Sequence, residues 1–147
     1  MDESPNFIGM AEIRIPAVIA WTVAVPICGG FACGLAIDRF GEFGSISLWA
    51  LGALSGYVGR KIMAAPSRSM GWGLVVANLS ALVVAEVCWI HWNLALGAES
   101  WWEAVGLLPT FIRRYELSAL IAAMFCIFGA LSAYQQTARR YRLVAVD

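Results

Sequence analysis

Glu86 is the residue in this chain whose type and setting most invite chemistry. It is the single charged side chain in the 30 residues from Ser69 to Ala98, a run otherwise made of aliphatic, aromatic and small residues. An ionised acid near the middle of a membrane helix costs roughly 2.5–3.5 kcal/mol on insertion scales, and such residues commonly mark ion or proton paths. The plainer alternative is a neutral Glu hydrogen-bonded inside a helix bundle, or one that reaches a partner protein. Asn93, seven residues on, returns to within about 20° of Glu86 around a helix axis, and Leu82 and Trp89 share that stripe. Glu86 and Asn93 together are the candidate intramembrane polar site.

His91 is the only histidine. Five residues from Glu86, it falls about 140° around the axis and does not pair with the acid. A lone histidine excludes a bis-histidine haem site. It leaves single axial ligation of a haem or a chlorophyll-type pigment as a candidate ligand role, beside the simpler reading of an interfacial side chain. Cys28, Cys33, Cys88 and Cys126 all fall in apolar runs. Cys28 and Cys33 are five apart, out of disulfide reach on an intact helix, and no CxxC pair occurs, so the four read as small core residues. Arg113 and Arg114 beside Glu116, and Arg139, Arg140 and Arg142 in the tail, are candidates for contact with anionic lipid or a partner. There is no phosphate-binding glycine loop, no metal-ligand cluster and no nucleophile–base pair. The expectation is therefore a non-enzyme with no metal and no cofactor.

Charge-free runs define the elements that must position these residues. Residues 15–37, 43–59 and 117–138 carry no charge at all. A helix needs about 20 predominantly apolar residues to cross a hydrocarbon core of roughly 30 Å. Four spans follow, at about 15–37, 44–64, 71–96 and 117–138. Composition agrees: 61% of residues are hydrophobic and 14% charged, against roughly 45–50% and 25% in globular proteins. That excludes a water-soluble enzyme. Ten basic and ten acidic side chains cancel, so no nucleic-acid surface is expected. The runs lack strand-like alternation, which favours helices over a barrel. The leader before residue 15 is acidic and the run after it exceeds a signal core, so the first span reads as a retained anchor.

The fold expected is all-α: one membrane domain over residues 1–147, a four-helix transmembrane bundle with a short interfacial helix at about 99–112 between helices 3 and 4. In that segment Trp101, Trp102, Val105, Leu108, Phe111 and Ile112 recur at helical spacing, with a break or bend expected near Pro109. Basic residues set the orientation. Arg14, Arg60, Lys61, Arg68, Arg139, Arg140 and Arg142 fall on one side and Arg39, Arg113 and Arg114 on the other, which places both termini in the cytoplasm. Trp49, Trp89, Trp92, Trp101 and Trp102 then sit at the outer interface and Trp72 at the inner one, while Trp21 lies deeper, against another helix.

Helices in lipid pack through small residues. Gly30 and Gly34 form one GxxxG pair, Gly52 and Gly56 a second, and Gly129 lies on a small-residue stripe with Ser118, Ala122 and Ala133. Internal packing is the preferred reading, and homo-oligomerisation stays open. Pro26 is expected to bend the first helix just before its glycines. The sequence Gly52-x3-Gly56-x3-Arg60, the basic loop after it, and Ala133-Tyr134 carry a resemblance to a loose group of uncharacterised bacterial four-helix integral membrane domains. The resemblance implies a bacterial inner-membrane location and no catalytic residues. The function expected is a non-catalytic accessory or scaffold subunit of a bacterial membrane complex, contacting the bilayer and other membrane subunits. The alternative is a small oligomeric transporter or channel that uses Glu86 as a coupling carboxylate; a pigment- or haem-associated subunit using His91 ranks below both.

Overall fold

A computed structural model of the chain describes residues 8–63, 67–93 and 98–138, with side chains from residue 15 onward. Helix α1 (Ile8–Ala24) passes through one π turn at Val25–Gly29 into α2 (Gly30–Phe40). The π turn sits where Pro26 supplies no N–H and its ring crowds the carbonyl four residues back, which a wider turn relieves. Gly41 ends α2 with φ +59°, the one positive φ among the described residues. A 3-10 turn (Gly41–Ser45) then leads into α3 (Ile46–Ile62). α4 (Arg68–Trp92) starts at Ser67, whose Oγ accepts the Met70 N–H at 3.3 Å. α5 (Trp101–Arg114) and α6 (Glu116–Ala138) complete the chain. The described residues contain helices and turns and no strand.

Three helical stretches are long and apolar enough to cross a membrane: Ile15–Ile62, Arg68–Trp92 and Glu116–Ala138. The first folds back on itself at Gly41. The Trp21 indole N–H donates to Ser55 O at 3.1 Å, Gly29 lies against Leu51, and Gly44 lies against the Ala36 backbone. Many large apolar side chains along these stretches are more than half exposed, among them Ile27, Val76, Leu117 and Leu120.

Small residues hold the helices together. Gly52 of α3 meets Gly129 of α6 backbone to backbone, and Gly56 meets Ala133 one turn on. Gly30 of α2 faces Ala81 and Val84 of α4, and Gly34 faces Ala85 and Cys88. The buried interior is dominated by alanine, cysteine and glycine with a few large residues such as Leu48, Leu74 and Ile90. In lipid, close backbone approach replaces the hydrophobic drive that builds a soluble core.

The boundaries differ from the sequence expectation in ways that have physical causes. The first helix runs past residue 37 to Phe40, because Asp38 and Arg39 are exposed at its end and need no burial. Residues 94–96 of the expected third span lie outside the described residues. The helix expected at 99–112 is Trp101–Arg114, and it runs through Pro109 unbroken. Its start is set by a capping box: Glu103 N–H donates to Ser100 Oγ at 3.2 Å while Glu103 Oε2 accepts from Ser100 N at 3.2 Å and Glu99 N at 2.8 Å. The break comes instead at Tyr115 (φ −122°, ψ 45°). Nor do the six apolar residues of this helix form one stripe. Ala104 and Phe111 are buried against Ile90 of α4, with Leu107, Leu108 and Tyr115 beside them, whereas Trp102, Val105 and Ile112 are exposed. At about 100° per residue these two apolar stripes are separated by roughly a third of a turn, and Glu103, Thr110, Arg113 and Arg114 occupy the remaining arc.

Candidate functional site

α4 carries Glu86 to the place where α2, α5 and α6 converge. Ala81, Ala85 and Cys88, on a face of α4 turned about 100–160° from Glu86, let α2 approach closely through Gly30 and Gly34, and α5 folds over the C-terminal part of α4 through Ile90, Ala104 and Phe111. Glu86 retains 8% of its surface. Among the described residues nothing forms a hydrogen bond or ion pair with its carboxyl group.

Glu86 instead borders two cavities. The larger, about 360 Å³, is walled by Leu82 and Val83 of α4, Leu108 and Ile112 of α5, and Ala119, Leu120 and Ala123 of α6, with Glu116 as its second acid. The smaller, about 190 Å³, is bounded by Ile37, Trp89, Phe111 and Tyr115, with Glu42, Ser45 and Ser118 as polar members. Ser118 Oγ donates to Glu42 Oε1 at 2.9 Å and ties the α2–α3 turn to α6. Three acids thus surround this region. The carboxyl group of Glu42 has a hydroxyl donor, and that of Glu86 has none among the described residues. No group of three or more His, Cys, Asp and Glu side chains among the described residues is arranged to hold a metal ion.

The stripe expected from sequence is only half assembled. Leu82 and Trp89 border the same cavities as Glu86, but Asn93 borders neither. Asn93 is the C-cap of α4, its N–H still bonded to Trp89 O at 3.0 Å, and stands about 10 Å along the axis beyond Glu86, past the lining of both cavities. His91 is stacked on Trp101, centroids 4.0 Å apart and planes at 30°, and its Nδ1 is buried without a hydrogen-bond partner among the described residues. It borders neither cavity of Glu86. Arg113 and Arg114 are exposed and, with Tyr115 and Glu116, line a shallow groove at the α5–α6 junction; the Arg114 guanidinium lies 5.9 Å from the Tyr115 ring centroid. Arg139, Arg140 and Arg142 lie outside the described residues. Gly30, Gly34, Gly52, Gly56 and Gly129 are all spent on contacts within the chain.

Sequence reasoning passed over a second buried polar group. Asn78, 1% exposed, donates its side-chain N–H to Ser55 Oγ at 3.0 Å and to Leu74 O at 2.8 Å; its Oδ1 has no partner among the described residues. Ser55 Oγ in turn donates to Gly52 O at 2.9 Å. Asn78 stands eight residues before Glu86, about 12 Å along the axis. The signal was an uncharged polar residue inside an apolar run, easily overlooked beside a carboxylate. Comparison with family models, with curated proteins and with solved structures returns no match for this chain.

Proposed function

We propose that this chain is a bacterial inner-membrane protein that crosses the bilayer four times, with both termini cytoplasmic, and acts as a small non-enzymatic transporter that uses Glu86 as its coupling carboxylate. The observation that carries the reading is the setting of Glu86: more than nine-tenths buried, unpartnered among the described residues, and bordering two cavities. A structural glutamate would have its hydrogen bonds satisfied within the bundle. Four crossings are supported by the reversal at Gly41, which splits Ile15–Ile62 into arms of 26 residues (15–40) and 17 residues (46–62), or about 39 and 26 Å at 1.5 Å per residue. The orientation rests on the basic residues of the loops and tail.

The test is flux through proteoliposomes. With a pH-sensitive dye inside and a potassium diffusion potential imposed, Glu86→Gln is expected to lower proton entry at least ten-fold relative to the unaltered protein. Equal rates would remove Glu86 from the mechanism.

A second reading is a non-catalytic accessory or scaffold subunit of a larger membrane complex. It is favoured by α5, which turns Trp102, 85% exposed, and the Arg113–Arg114 pair outward as a docking surface. Mild-detergent extraction followed by mass spectrometry is expected to recover stoichiometric partner subunits if this reading holds, and a lone monodisperse species if it does not.

A further inference from the structure

We propose that the Glu86 site binds lipophilic organic cations, a protonated amine or onium group carried on an apolar body. The inference deepens the transporter reading and rests on Glu86 as the working group of that site. It starts from what the carboxyl group lacks. A buried carboxylate is stable only when a counter-charge or hydrogen bonds replace its lost water, and among the described residues none does so. In its ionised form Glu86 therefore calls for a counter-charge, which a cationic ligand would bring.

The walls select the kind of cation. A hydrated metal ion requires several oxygen ligands, whereas the larger cavity offers Glu86 and Glu116 amid Leu82, Leu108, Ile112 and Ala119. Those walls suit a hydrocarbon body, and about 360 Å³ falls at the small end of the roughly 300–1,000 Å³ typical of small-molecule pockets. On the other side of Glu86, Trp89, Phe111 and Tyr115 border the smaller cavity together with Glu42. Aromatic faces attract positive charge through the ring quadrupole. Glu86 is thus shared by one pocket with acidic and aromatic members and another walled by hydrocarbon, a combination that complements an amphiphilic cation. A neutral lipid chain would fill the apolar walls but leave the carboxyl group unpaired.

Tetraphenylphosphonium and tetraphenylborate have the same shape and opposite charge, so together they separate charge recognition from simple partition into oil. The full chain, purified in maltoside micelles, is dialysed against each ion. Saturable binding of the phosphonium is expected, at least ten-fold tighter than any binding of the borate. Glu86→Gln is expected to weaken it at least ten-fold and Glu86→Asp to retain it. Ala119→Phe, which fills the cavity and leaves the carboxyl group in place, is expected to weaken it likewise. Equal binding of the two ions, or phosphonium binding unchanged in both Glu86→Gln and Ala119→Phe, overturns the proposal. Glu86-dependent proton flux without phosphonium binding refutes the ligand class and leaves the transporter reading standing. Phosphonium binding that depends on Glu86, with no Glu86-dependent flux, upholds the site and refutes transport.

Discussion

At the residue scale, the contrast between Glu86 and Asn78 is the instructive one. Both are polar, buried and set on the same helix, yet Asn78 has two hydrogen bonds and Glu86 has none among the described residues. Asn78 behaves as packing with a polar edge. Its loss should be tolerated, because Ser55 Oγ keeps Gly52 O as an acceptor and the vacated Oδ1 is unpaired among the described residues. Replacing Asn78 with Val, an apolar residue of comparable volume, is expected to change stability by no more than about 1 kcal/mol, whereas Asn78→Ala opens a void and should cost on the order of 2 kcal/mol. Reversible unfolding by increasing mole fractions of SDS would measure both. Glu86 was visible in the sequence because charge is rare in an apolar run. Its isolation was not, since whether a carboxyl group finds a donor depends on residues such as Ser118 and Glu42, which lie far away along the chain and pair with each other.

At the element scale, glycine placement divides into positions that hold the bundle and positions that do not. A methyl group at Gly52 would overlap the Gly129 backbone, and one at Gly56 would come within 2.6 Å of Ala133 Cα. Gly52→Ala should therefore push α3 from α6 and cost about 1–3 kcal/mol, the usual penalty of overpacking. Among the described residues nothing lies within 4 Å of the same position at Gly106, and Gly106→Ala should strengthen α5 by roughly 0.8–1 kcal/mol through helix propensity alone. Thermal denaturation in detergent should therefore move in opposite directions for the two variants. Ser100→Ala removes half of the capping box and is expected to cost about 0.5–2 kcal/mol, seen as faster amide exchange in the first turn of α5 and unchanged exchange in α4. The GxxxG pairs were legible in the sequence as packing surfaces; their partners were not, because one helix cannot reveal which neighbour fills its groove. The start of α5 was also written there, in Ser100 and Glu103, though attention to the apolar repeat missed it. The rotation of α5 was hidden, since its apolar residues cover two arcs and only contact with Ile90 decides which one turns inward.

At the scale of the whole molecule, helicity and membrane-length stretches follow from composition and the spacing of charges, while the long-range pairing of α3 with α6 and α2 with α4 required the structure. The four-crossing topology makes a prediction of its own: alkaline phosphatase fused at either terminus is expected to be inactive in a bacterial host, and fused after Gly41 active. Activity at exactly one terminus would require an odd number of crossings. The larger cavity has a further consequence. Its rim includes Val83, Ile112 and Leu120, each 46–58% exposed, and in a bilayer these side chains meet acyl chains. The doorway to Glu86 thus opens sideways into oil. Occupancy would be governed by a compound's mole fraction among the lipids, so the same aqueous dose would fill the site to different extents in membranes that dissolve that compound unequally.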